Sequence, residues 1–182
     1  MDLPHFSESI NVIPFNRDPA EVSSPFDGHE KRSKHAVVEP HVIESNIDGP
    51  FLGWSGSTVF KLANGQVWEQ DAHVRTYHFA YRPNVTITGV DDAYLMDVDR
   101  VSGRIPVRRV HDFIESNIDG AFNGWDGKTV FRLANGQVWQ QAVYAYHYQY
   151  AYRPEVLLYL SKDGWKLKVD GAHETVAVTK IK

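Results

Sequence analysis

The sequence predicts an all-β protein, two tandem small barrels behind an irregular N-terminal arm. Three observations carry this. One stretch occurs twice, 71 residues apart and without a gap. Each copy places an Asn-Gly turn between two runs of alternating apolar residues, the pattern of a β-hairpin. Neither copy holds a segment with a convincing 3.6-residue apolar period, so no helix is expected in either.

The repeated stretch begins at Ile43-Glu44-Ser45-Asn46-Ile47-Asp48-Gly49 and again at Ile114-Glu115-Ser116-Asn117-Ile118-Asp119-Gly120. Trp54 answers to Trp125, Asn64 to Asn135, and Tyr81-Arg82-Pro83 to Tyr152-Arg153-Pro154. Three segments follow: an arm over 1–41, a first repeat over 42–110 and a second over 111–182. The arm carries five prolines (Pro4, Pro14, Pro19, Pro25 and Pro40), which break helix and sheet alike. Only Ile10-Asn11-Val12-Ile13 reads as a short strand there.

Within the first repeat, Thr58 to Leu62 and Gln66 to Gln70 alternate around Ala63-Asn64-Gly65. Phe60 and Leu62 share one face and Val59 and Lys61 the other; Trp68 of the returning strand should meet the first pair in a core. Asp71 to Arg82 follows no simple strand logic. Arg82, standing before Pro83, is expected to be extended. Strands at Val85–Ile87, Tyr94–Val98 and Ile105–Val110 complete the unit, with Gly89 to Asp92 as a turn. The second repeat gives the same series, Thr129–Leu133, Gln137–Gln141, Val156–Leu160, Trp165–Val169 and Thr175–Ile181. Five short antiparallel strands with one longer loop describe a five-stranded SH3-like barrel. An oligonucleotide-binding fold, with longer strands and usually a helix, fits less well.

The two parts of each repeat differ. Residues 42–85 match 113–156 at 28 of 44 positions, whereas 86–110 match 157–181 at about 4 of 25. Apolar alternation alone accounts for the second part. The first is held more closely than packing requires, because cores accept apolar swaps of similar volume. That points to shared function in the first part, although gene conversion would leave the same trace.

Composition narrows the function. Cysteine is absent, so no disulfide, thiolate metal site or cysteine nucleophile exists. The start of the chain shows no basic segment followed by an apolar run, and no apolar stretch approaches membrane-spanning length. A cytoplasmic protein without membrane contact is the expectation. A net charge of −4 offers no general attraction to phosphate.

The most unusual stretch is Tyr144-Ala145-Tyr146-His147-Tyr148-Gln149-Tyr150-Ala151-Tyr152-Arg153. Tyrosine takes every second position, so an extended backbone puts all five rings on one face. Tyrosine and arginine are favoured at recognition hot spots. Three placements are open: an exposed binding surface, packing against Trp139 or between the repeats, and an edge strand for oligomers. The expected ligand-binding residues are Tyr144, Tyr146, Tyr148, Tyr150 and Arg153 with Trp125 nearby. In the first repeat they are Trp54, Tyr77, His78, Tyr81 and Arg82.

Other chemistry is thinly supported. Stacked tyrosines could hold nucleobases, but the one basic stripe is Lys162, Lys166, Lys168, Lys180 and Lys182. His73, His78 and His147 lack the convergent spacing of a zinc site. Glu44 with Asp48 and Glu115 with Asp119 recur, yet nothing sets them across a cleft as a glycosidase pair needs. Asp48-Gly49 and Asp119-Gly120 read as turns. Trp54 and Trp125 are expected to cap the open ends of the barrels. No metal and no cofactor are expected.

The motif Ile-Glu-Ser-x-Ile-Asp-Gly-x-Phe-x-Gly-Trp-x-Gly-x-Thr-Val-Phe-x-Leu-x-Asn-Gly-Gln-Val-Trp-x-Gln, followed by alternating tyrosines and Arg-Pro-x-Val, resembles a family of small bacterial proteins with SH3-like domains. It covers 43–85 and 114–156. The resemblance implies the barrel fold and brings no activity with it. The first repeat departs from it at Arg75, Thr76 and His78, where tyrosine-rich sequence is expected. Fold analogy cannot choose among peptide, nucleic-acid and cell-wall ligands. The function expected is a non-catalytic binding or assembly module for a protein or peptide. Nucleic-acid binding is the second reading and an enzyme the third.

Overall fold

A computed structural model describes residues 40–182. The arm and the strand read at Ile10–Ile13 lie outside the described residues. The described chain is all-β, and its strands fall into two sets of eight.

The first set comprises β1 (His41–Asn46), β2 (Pro50–Ser55), β3 (Val59–Lys61), β4 (Val67–Gln70), β5 (Arg75–Tyr81), β6 (Asn84–Val90), β7 (Ala93–Val98) and β8 (Ile105–Val110). The second comprises β9 (Phe113–Asn117), β10 (Ala121–Phe122), β11 (Val130–Arg132), β12 (Val138–Gln141), β13 (Ala151–Tyr152), β14 (Glu155–Ser161), β15 (Gly164–Val169) and β16 (Thr175–Lys180). Each set forms one six-stranded sheet and one two-stranded ribbon. The sheets run β1-β6-β7-β8-β4-β3 and β9-β14-β15-β16-β12-β11; the ribbons are β2-β5 and β10-β13. Every pairing is antiparallel.

Each sheet curls until its outer strands meet. Ile47, just past β1, bridges Leu62, just past β3, and Ile118 bridges Leu133 in the second set. The curl satisfies backbone groups that an open edge would leave unpaired. Each ribbon then lays aromatic side chains into the barrel, Phe51 and Trp54 from the first and Phe122 from the second, with Trp125 just beyond β10. They join Phe60, Leu62, Trp68, Ile87 and Met96 in one core and Phe131, Leu133, Trp139, Leu158 and Leu167 in the other.

The tandem all-β arrangement matches the sequence expectation, and the hairpins and the Phe60, Leu62, Trp68 core stand as read. Each unit has more strands than the five read from the sequence. The additions are the leading strand and the two ribbon strands. The ribbon's second strand went unread because its bulky side chains face solvent, so no buried alternation marks it.

The Ala63-Asn64-Gly65 turn has three residues. Gly65 alone takes positive φ, at 81°. The Gly65 amide donates to the Leu62 carbonyl at 2.8 Å, and the Asn64 side-chain oxygen accepts from the Gln66 amide at 3.0 Å. That is a three-residue hairpin loop with glycine in the left-handed position.

The residue before proline also differs from expectation. Arg82 and Arg153 adopt φ of 48° and 51°, left-handed and not extended. Steric conflict with proline excludes the right-handed helical region, and the sharp reversal into the next strand selects the left-handed one. The repeated Asn-Ile-Asp-Gly holds this reversal. The Arg153 amide donates to Gly120 at 2.8 Å, the Asn117 side chain donates to the Arg153 carbonyl at 3.2 Å, and the Ile118 amide donates to the Pro154 carbonyl at 3.0 Å.

The two barrels share a seam. Val59, Val67 and Val110 on the outer face of β3-β4-β8 pack with Tyr159, Phe113 and Leu157 on the outer face of β9-β14-β15. Glu69 is buried in this seam. Its carboxylate accepts from Ser161 Oγ at 2.9 Å, Lys166 Nζ at 3.2 Å and Arg108 Nε at 2.9 Å. Lys61 pairs with Glu115 and Lys162 with Asp71 around it. Lys168 Nζ donates to the Val59 carbonyl at 3.2 Å, and burial lowers its pKa.

Candidate functional site: an exposed tyrosine row beside a cleft

Glutamine 141 sets up the row. It ends β12 with a buried side chain that makes three hydrogen bonds. Its Oε1 accepts from the Gly127 amide at 2.7 Å, and its Nε2 donates to the Val143 and Ala145 carbonyls at 3.0 and 2.9 Å. One side chain thus satisfies backbone that the segment after β12 cannot pair in a ladder. Gln70 does the same in the first repeat, accepting from Gly56 and donating to Ala72 and Val74.

Beyond this clamp the segment runs extended past Gly124-Trp125. The Trp125 and His147 backbones exchange both amide hydrogen bonds at 2.9 Å. Their rings stack with centroids 4.6 Å apart. Gly124 must be glycine here, because a Cβ would lie 1.9 Å from the His147 carbonyl oxygen. Gly53 meets the Thr76 carbonyl in the same way at 2.0 Å. Gln149 closes the far end, donating to the Asp170 carbonyl at 2.9 Å.

With His147 and Gln149 turned toward the barrel, the alternate positions face solvent. Tyr144, Tyr146, Tyr148, Tyr150 and Tyr152 are 66–79% exposed. They neither pack on Trp139 nor enter the seam. Arg153 is exposed at the end of the row. In the first repeat Tyr77, Phe79 and Tyr81 are exposed, and Arg82 lies 3.7 Å from the Asp48 carboxylate. His78 does not join them. It is half-buried on the opposite side of β5, its ring 6.4 Å from that of Phe51. Phe79 was missed; its place between Tyr77 and Tyr81 at period two was the available signal.

Trp54 and Trp125 are buried in their cores. Neither ring presents an open face to solvent. Trp125 does line a cleft of about 400 Å³ with Phe122, Thr129, Val130, Tyr146 and Tyr148. The buried indole N–H groups of Trp54 and Trp125 have no hydrogen-bond partner among the described residues. Asp126 at the cleft rim accepts from the Thr129 hydroxyl at 2.9 Å, and that bond, with the Lys128 amide, lowers its pKa.

Of the lysine stripe, Lys162, Lys166 and Lys168 are engaged in the seam. Lys180 lies over the Trp139 ring, 6.0 Å from its centroid. Among the described residues no three His, Asp or Glu side chains converge as metal ligands. None of the described residues forms a helix long and apolar enough to cross a membrane. No protein-family model, no curated protein and no solved structure matches this chain.

Proposed function

We propose that the chain is a cytoplasmic, non-catalytic binding or assembly module. Its tandem barrels, read as SH3-like, recognise a protein or peptide through their aromatic rows. The observation that carries this is the tyrosine row, five rings at alternate positions and all exposed, on backbone clamped by Gln141. Contiguous exposed aromatic surface marks interaction sites. Tyrosine supplies wide contact area with few rotors to freeze, and a hydroxyl for polar pairing.

The occupancy of Lys162, Lys166 and Lys168 speaks against nucleic acid. A phosphate backbone needs free cations along its path, and these three already serve Asp71, Glu69 and a buried carbonyl. Glu115, half of one recurring carboxylate pair, is held by Lys61.

Peptide display against the immobilised full chain tests the proposal. Selected peptides should bind wild type and lose at least about tenfold in affinity on the Tyr146→Ala/Tyr148→Ala variant, as hot-spot truncations do. Equal binding by the two proteins, or a variant that fails to fold, would overturn it.

A further inference from the structure

The seam joins unlike faces. The first repeat contributes the outer face of β3-β4-β8, and the second contributes the outer face of β9-β14-β15. Among the described residues, each repeat therefore leaves outside the seam its own version of the face that its neighbour used. Val130, Val138 and Ile181 stand where Val59, Val67 and Val110 stand in the seam. Val130 is 43% and Ile181 54% exposed, against 1% and 2% for their counterparts, while Val138 between them stays buried at 9%. On the first repeat, Val42 and Leu95 are exposed where Phe113 and Lys166 lie in the seam. Val42, Thr88 and Leu95 are neighbours across β1, β6 and β7, in the register of Phe113, Tyr159 and Lys166.

We propose that the chain associates with itself head to tail. The free face around Val130, Arg132 and Ile181 of one copy docks on the free face around Val42, Glu44 and Leu95 of the next, repeating the internal seam. The charges on the two free faces agree with this. The seam pair Lys61–Glu115 becomes Arg132 against Glu44, with opposite signs kept. Where the buried charges around Glu69 are lost, they are lost from both sides together. Glu69 becomes Gln140 while its partners Arg108 and Lys166 become Thr179 and Leu95. No buried charge is left without a partner, which a docked face must avoid. Two positions depart: Asp97 stands for Lys168, cannot donate to the facing carbonyl, and keeps its ion pair with Arg104 at 3.6 Å, and the exposed seam pair Lys162–Asp71 becomes Asp91 against Ala142, which keeps no opposite charge.

The free first-repeat face is the less apolar one, since Val42, Thr86 and Thr88 replace Phe113, Leu157 and Tyr159. The contact between copies is accordingly weaker than the internal seam. A contact between unlike faces propagates unless its rotation closes a ring, so mass should grow beyond a dimer.

Sedimentation velocity of the full chain from micromolar to millimolar concentration tests this. Wild type should gain mass with concentration. Arg132→Glu alone and Glu44→Arg alone each place like charges together and should raise the concentration for association by about tenfold or more. The double variant Arg132→Glu/Glu44→Arg restores opposite signs and should recover association. Both side chains are exposed, so folding is not at stake. A wild type that stays at 20.7 kDa throughout would overturn the proposal. So would association indifferent to the single reversals, or single-variant loss that the double variant does not repair.

Discussion

Val59 and Val130 hold the same place in two copies of one hairpin, yet Val59 is 1% exposed and Val130 43%. The difference comes from what lies outside the barrel. Val59 is covered by the second repeat, and Val130 faces the cleft beside Tyr146 and Tyr148. Duplication gave two near-identical folds, and their packing made the outer surfaces unequal.

Glu69 anchors that packing. Removing its carboxylate leaves Arg108 and Lys166 facing each other in a partly dry seam. Glu69→Ala should lower unfolding free energy by about 3 kcal/mol, the low end for breaking a buried ion pair, because both cations keep some solvent. Urea denaturation would measure it, and a second, separate transition would show the repeats uncoupled.

Gln141 should matter to the tyrosine row more than to the core. Gln141→Leu fills similar volume but strands the Gly127 amide and two carbonyls. A loss of about 2 kcal/mol is expected. Amide hydrogen exchange should quicken over 142–150 while the strands of the sheet stay protected.

These supports show how far the sequence could be read. The hairpin at Asn64-Gly65 and the core of Phe60, Leu62 and Trp68 were legible because turn chemistry and alternation are local. The ribbon strand β5 was not, since alternation marks a strand only when one face is buried in apolar core. Gln141 appeared as the last residue of the motif, but its clamp joins Gly127 to Ala145 and is not written in spacing. The depth of Trp125 was not legible, because an aromatic beside glycine looks the same whether it lies at the surface or fills a core. The seam was invisible: Glu69 and Ser161 are 92 positions apart, and nothing local in either predicts the other.

Arg153 holds a left-handed backbone that costs an L-residue about 1–2 kcal/mol relative to glycine. Its guanidinium makes no ion pair among the described residues. Arg153→Gly should therefore raise stability, by up to about 1 kcal/mol, while weakening ligand binding. Thermal unfolding and peptide titration on the same variant would separate the two effects.

Tyr159 and Lys168 give the seam opposite responses to pH. The Tyr159 hydroxyl is buried and has no hydrogen-bond partner among the described residues, and burial, with the nearby Glu69 charge, raises its pKa above 10.0. The folded state holds that proton more tightly, so stability falls as pH climbs past about 10. Lys168 has a folded pKa below 10.5, so its contribution improves as pH rises from that lowered value to 10.5. Tyr159→Phe should abolish the tyrosine's share of the alkaline loss and add about 1 kcal/mol by removing an unsatisfied hydroxyl. Lys168→Met should flatten the rise below it. Urea midpoints across a pH series would check both.

The tyrosine row is proposed to recognise a protein and to be dispensable for folding. The most direct measurement is affinity capture from a bacterial lysate with wild type and with Tyr146→Ala/Tyr148→Ala, each with and without nuclease, on proteins whose unfolding midpoints agree. Wild type should retain a protein under both conditions, and the variant should lose it. A partner retained equally by both, or one released by nuclease, would contradict it.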